Sequence, residues 1–89
     1  MRIAIDYDGT YTADPELWDQ FIELAKARGH GVVIVTCRRP TDENYQDCHH
    51  KNCLTVFTNL SSKVSYMEKL GINVDVWIDD DPACILHGK

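Results

Sequence analysis

The run GVVIVT at residues 31–36 limits the fold more than any other part of the chain. A continuous β-branched run of this kind has no polar face to turn toward water, so it belongs inside a sheet covered on both sides. Such sheets are built from parallel strands joined by helical crossovers. The remaining segments supply those parts. RIAID (2–6) is a short apolar strand ending in acid, LTVFT (54–58) is a third strand, and VDVWI (74–78) is a fourth, stopped by DDDP. Asp14 offers an N-cap with Pro15 at the first helical position. Leu17, Phe21, Leu24 and Ala25 then recur at helical spacing through 15–28. Lys26 and Arg28 suit the last turn, and Gly29 can close it. Ser61 or Ser62 can cap a later helix carrying Val64, Met67 and Leu70 and closed by Gly71. Residues 40–50, opened by Pro40 with Asp42 and Glu43 following, predict a further short helix.

The expected fold class is therefore α/β, a three-layer Rossmann-like parallel sheet of about four strands in order 3-2-1-4. At 89 residues the chain has room for one domain, 1–89. A hydrophobic content of 44% argues against disorder. No apolar run approaches the roughly 20 residues of a membrane span, so no membrane partner is expected. No signal-peptide pattern precedes the first strand, which makes the cytoplasm the expected location and free thiols the expected state of Cys37, Cys48, Cys53 and Cys84.

The formal charge of −5 argues against a general nucleic-acid-binding surface. Its distribution is more informative. Of 14 acids, five sit in two short clusters, Asp6 and Asp8, then Asp79, Asp80 and Asp81, and the other nine equal the number of Lys and Arg residues. In an open α/β sheet, ligands bind beyond the carboxyl ends of the strands where strand order reverses. With order 3-2-1-4 that reversal lies between the first and fourth strands, and both clusters follow those strands directly. Either cluster alone reads equally well as turn chemistry, Asp8-Gly9 in one case and a solvated DDDP loop in the other. Together they bring like charges to one corner, which costs stability unless a cation neutralises them. Oxygen donors with water completing the shell suit Mg²⁺.

These residues carry a resemblance. IDYDGT resembles the first motif of the haloacid dehalogenase superfamily, hydrophobic residues followed by D-x-D-G-T. Thr36, ending VVIVT, is similar to the second motif's Thr or Ser. Lys63, at the start of a helix, is similar to the third motif's lysine, and VWIDDDP to the fourth, acidic motif. Four motifs in order cover essentially the whole chain. The resemblance implies a Mg²⁺-dependent phosphatase in which Asp6 is the nucleophile and forms an aspartyl-phosphate. Asp8 would be the general acid and base. The metal would be held by Asp6, by the backbone carbonyl of Asp8, and by Asp79 with Asp80 beside it; Asp81 would turn with Pro82. Thr36 and Lys63 would bind the phosphoryl group, Gly9 and Thr10 would join them in binding the substrate from the turn, and Arg38, with Arg39 beside it at the mouth, could bind a phosphate or carboxylate of the substrate.

Lys63 has independent support, because a lysine at a helix N-terminus opposes the macrodipole and so suggests a tertiary partner. Superfamily members often carry a cap domain. Here only residues 11–14 separate DYDGT from the first helix and only 38–53 separate the second and third strands, and neither segment can fold as one. An open site suits a nucleotide, a nucleic-acid end phosphate, or completion by a neighbouring copy of the chain. Tyr7, Tyr11, Arg38 and Arg39 lie nearest its mouth. A phosphotransferase shares the aspartyl-phosphate step, and a catalytically silent metal-binding module shares the carboxylates. Cys37, Cys48, His49, His50 and Cys53 match no strong zinc spacing; buried or half-buried thiols and a solvated histidine pair are expected. His30 and His87 read as surface residues, Trp18 and Trp77 as packing residues.

Overall fold

A computed structural model describes residues 1–41 and 48–88. Four parallel strands form one sheet in the order β3-β2-β1-β4: β1 (Arg2–Asp6), β2 (Gly31–Thr36), β3 (Leu54–Phe57) and β4 (Val76–Ile78). Helix α1 (Pro15–Ala27) links β1 to β2, α2 (Lys63–Lys69) links β3 to β4, and the short α3 (Ala83–His87) follows β4. The expected strand order is thus observed, and β1 and β2 have the expected bounds. The helix expected at 40–50 falls largely on residues 42–47, which lie outside the described residues. No helix among the described residues is long and apolar enough to cross a membrane.

Strand alternation divides the core into two layers. Ile3 and Ile5 of β1 face α1 and pack with Ile22 and Ala25. Ala4, Val33, Val35 and Val56 point the other way, onto Met67 of α2. Trp18 and Ile78 flank the first layer, Tyr66 and Trp77 the second. The three-layer arrangement expected from GVVIVT follows from this division, with β2 buried from Val33 to Thr36.

The helix ends are set by local chemistry. The Asp14 carboxylate accepts the Leu17 amide at 3.2 Å, and Ser62 Oγ accepts the Ser65 amide at 3.3 Å. Gly29 and Gly71 close α1 and α2 with the same pair of bonds: Gly29 N–H to Lys26 and His30 N–H to Ala25, then Gly71 N–H to Glu68 and Ile72 N–H to Met67. Strand β4 begins two residues later than VDVWI suggested. There the Asp75 carboxylate accepts the Arg2 amide at 2.7 Å, taking the place of a ladder carbonyl, so regular pairing starts at Val76.

The apolar face of α1 differs from expectation. Leu17 and Leu24 are 53% and 62% exposed, whereas Ile22 is fully buried and Trp18, Phe21, Ile22 and Ala25 form the inner stripe. Two overlapping stripes, 17-21-24 and 18-22-25, satisfy helical periodicity equally. The narrow sheet selects the one over Ile3 and Ile5. Ile22→Ala is therefore expected to destabilise the protein by about 2–4 kcal/mol, and Leu24→Ala by no more than about 0.5 kcal/mol, in urea denaturation.

Candidate metal centre

Each aspartate cluster lies where a parallel strand ends. Asp6 is the last residue of β1 and Asp79 follows β4 directly, and because those strands are neighbours their carboxylates meet. Carboxylate oxygens of Asp6, Asp79 and Asp80 lie within 4.8 Å of one another. They could hold a metal ion. Lys63, the first residue of α2, reaches into the same place. Its Nζ donates to Asp6 Oδ1 and to Asp79 Oδ2, each at 2.6 Å, and the residue is 1% exposed.

Thr10 completes the bracket from the β1–α1 turn. Its Oγ1 lies 3.2 Å from Asp6 Oδ2 and 3.1 Å from Asp80 Oδ1, and it accepts the Asp80 amide at 3.1 Å. One hydroxyl proton serves both carboxylates, so Thr10 holds the two aspartates together. Asp79 is fixed further by the Asp81 amide, which donates to its Oδ1 at 2.9 Å. Asp81 itself turns the chain into α3, its carbonyl accepting the Cys84 amide and its carboxylate the Cys84 thiol.

Gly9 has φ +85°, and a Cβ there would run into the Asp80 carboxylate. Its amide donates to Thr12 Oγ1 at 3.0 Å, so that N–H closes the turn. Gly9 thus clears space for Asp80 as well as bending the backbone. Thr36, 1% exposed at the end of β2, accepts the Arg38 amide at 3.3 Å. Asp8 stands apart from the three carboxylates. Its side chain forms a two-pronged ion pair with Arg38, Nε to Oδ2 at 2.8 Å and Nη2 to Oδ1 at 2.7 Å.

Asp6, Asp8, Thr36, Arg38, Lys63, Asp79, Asp80 and Asp81 all line one cleft of about 200 Å³. Cys37, Leu60 and Cys84 line it as well, although the sequence assigned none of them to this site. Asn59 and Leu60 both have positive φ, +56° and +67°, and the Leu60 amide bonds to the Cys37 carbonyl at 2.7 Å, which ties this loop to the end of β2.

The charges in the cleft decide what it can take. Burial raises the Asp6 carboxyl to about 6 despite the opposing pull of Lys63. Burial also works against the Lys63 ammonium, but its bonds to Asp6 and Asp79 outweigh that and leave its pKa raised. The exposed Asp80 is shifted down by hydrogen bonding with Asp6 and Thr10. Three carboxylates and one ammonium leave two negative charges uncompensated. Oxygen donors, tight convergence and that residual charge fit a hard divalent cation.

No group of three or more Cys, His, Asp or Glu ligands other than Asp6, Asp79 and Asp80 converges among the described residues. Cys37 and Cys48 are buried and Cys53 is half-buried, all as free thiols. His50 differs from the expected solvated residue. Its Nε2 lies 2.7 Å from Asp19 Oδ1, its Nδ1 accepts the Asn52 amide at 3.0 Å, and its ring meets Tyr11 edge-on. Trp77 packs beneath the sheet against Met67 and Val74, away from the cleft.

Comparison with known proteins adds no relative: no family model matches the chain, nor does any curated protein or any solved structure.

Two measurements test the centre. Gly9→Ala forces an L side chain into a left-handed conformation and pushes Asp80 away. It is expected to cost about 1–2 kcal/mol in stability and to weaken divalent-cation binding at least about tenfold by titration calorimetry. The second concerns pH. Asp6 keeps its proton to about 6 in the folded chain, whereas an unfolded aspartate releases it near pH 4. In the metal-free protein this group's contribution to stability is therefore full below about pH 4 and declines as pH rises to about 6. A cation requires the ionised form. Its affinity is expected to fall about tenfold between pH 7.5 and pH 5, and the increase in Tm on adding Mg²⁺ is expected to shrink over the same interval.

Proposed function

We propose that the chain is a Mg²⁺-dependent phosphomonoesterase of the haloacid dehalogenase type, with Asp6 as nucleophile. The observation that carries this reading is the Lys63 ammonium bridging Asp6 and Asp79 at 2.6 Å each, inside the cleft that Thr36 and Asp80 also line. A purely structural salt bridge needs one carboxylate. Here a buried cation spans two strand ends, beside a third carboxylate whose charge it leaves unbalanced.

In this reading Lys63 fixes Asp6 through Oδ1, and an Asp6 carboxylate oxygen attacks the phosphorus. The bond from phosphorus to the leaving oxygen breaks, and that oxygen takes a proton from Asp8, which must first leave Arg38 and pick up that proton from solvent. Asp8 then accepts a proton from the water that attacks the aspartyl-phosphate, releasing inorganic phosphate and restoring Asp6. Thr36 donates a hydrogen bond to the phosphoryl group while Lys63 offsets its charge. Asp6, Asp79 and Asp80, with the Asp8 carbonyl, would hold the Mg²⁺, which supplies positive charge opposite the phosphoryl oxygens.

A cleft of about 200 Å³ accommodates a phosphoryl group and little of what it is attached to. The leaving group then stays outside, which suits a nucleotide or a nucleic-acid end phosphate. A second reading, a metal-binding module without turnover, is favoured by one observation: the Asp8 carboxylate is held by Arg38.

Hydrolysis of 4-nitrophenyl phosphate and of a panel of nucleotides and 5′- and 3′-phosphorylated oligonucleotides separates these readings. Mg²⁺-dependent turnover is expected, with Asp6→Asn lowering kcat at least about a thousandfold. Retained activity in that variant removes Asp6 as nucleophile. Mg²⁺ binding with no turnover across the panel leaves the binding module. Transfer to an added alcohol in place of water identifies a phosphotransferase.

A further inference from the structure

The cleft is short of positive charge for a phosphate. Among the described residues its lining includes five carboxylates, Asp6, Asp8, Asp79, Asp80 and Asp81, against two cations, Lys63 and Arg38. Lys63 is already divided between Asp6 and Asp79. A divalent cation on the three clustered carboxylates leaves the lining with a net negative charge before any phosphate enters. The remaining cation is Arg38, and both prongs of its guanidinium lie on Asp8. That pair is only partly shielded, with side chains 34% and 39% exposed. The Tyr7 ring lies 5.7 Å from the guanidinium carbon, and the backbone N–H of Arg38 is bonded to Thr36 Oγ1 at the end of β2. The arginine is therefore positioned along its length while its charged end is matched to a carboxylate that a phosphate can imitate. A guanidinium fork accepts carboxylate and phosphate oxygens with the same planar geometry.

We propose that Arg38 is a specificity residue for the phosphoryl dianion and that Asp8 is its resident competitor: an entering phosphate takes the guanidinium, and the Asp8 carboxylate is released into the cleft. The pair acts as a latch. With no phosphate present, Asp8 is turned to Arg38; with phosphate present, Asp8 is free to face the phosphoryl group. Singly charged anions, which match the fork less well and bring less charge, open the latch poorly. This inference rests on the phosphate-site reading above.

Inorganic phosphate, titrated calorimetrically in the presence of Mg²⁺, tests it without turnover. Asp8→Asn removes the competitor and is expected to tighten phosphate binding about three- to fivefold, the range a half-exposed ion pair allows. Arg38→Ala is expected to weaken binding about tenfold or more, and Arg38→Lys, a point charge without the fork, to recover only part of it. In the double variant the gain from Asp8→Asn disappears. The Arg38 Nε–Hε NMR signal of the unmodified protein is expected to shift on phosphate addition. Unchanged binding in Arg38→Ala, or a gain from Asp8→Asn that survives in its background, overturns the latch while leaving the phosphate site standing. If the unmodified protein with Mg²⁺ binds no phosphate, the phosphate-site reading fails and the latch falls with it.

Discussion

Lys63 carries a full charge into a position that is almost wholly closed to water, and the surrounding structure is arranged to satisfy it. Taking an ammonium out of water costs several kcal/mol even after relaxation, so the group is stable there only with well-placed carboxylates. Asp6 and Asp79 provide them from the ends of two different strands. For both to reach one amine, β1 and β4 must be neighbours, and the first turn of α2 must point at the gap between them. The strand order, the register of Ile3 against Val76, and the entry of α2 at Ser62 all meet this requirement. The arrangement is not neutral, because two negative charges remain. Burial holds Asp6 partly protonated up to about pH 6 as the chain's own remedy in the absence of a cation.

Much of this was legible because its causes are local. The β-branched run 31–36, the acid ending RIAID, the Asp14-Pro15 start and the Gly29 and Gly71 stops each act within a few residues, and each appears where the sequence puts it. Lys63 was legible for a different reason, as a charge placed against the helix dipole that called for a partner elsewhere. The resemblance in four motifs named the site residues and the activity, but nothing in the comparisons with known proteins speaks to either. What the sequence did not reveal depends on distances between residues far apart in the chain. The partners of Arg38 and Asp8 are 30 residues apart and those of His50 and Asp19 are 31 apart. Periodicity in α1 likewise could not choose between two stripes, because the width of the sheet beneath it decides. The five-residue α3 is too short to show a period at all.

A second constraint lies outside the cleft and governs its shape. The turn that carries Gly9 and Thr10 runs directly into a single 3₁₀ turn, Tyr11–Ala13, and the Tyr11 ring stacks on Tyr7. The Tyr11 hydroxyl donates to Asp19 Oδ1 at 2.7 Å. His50 reaches the same oxygen through Nε2. Because its Nδ1 accepts the Asn52 amide, which can only donate, Nε2 is the nitrogen that carries the proton. Asp19 therefore receives two donors, one from the β1–α1 turn and one from the segment leading into β3. Those bonds hold its carboxyl below the usual range, the His50 contact contributing most. They also make the Tyr11 phenol harder to ionise, adding to the effect of burial that raises it to about 12.

The consequence is a braced turn. The packed rings of Tyr7, Tyr11 and His50 and the doubly bonded Asp19 carboxylate anchor the turn that positions Thr10, and through Thr10 the separation of Asp6 from Asp80. Leu60, which lines the cleft, projects from a left-handed backbone and is 42% exposed. A carboxylate cluster tolerates little displacement, since small changes in separation alter the repulsion between its members, so the braced turn belongs next to Asp6 and Asp80. Lys63 and Thr36, each 1% exposed, line the cleft itself, and Thr10, outside that lining, ties Asp6 to Asp80 behind it.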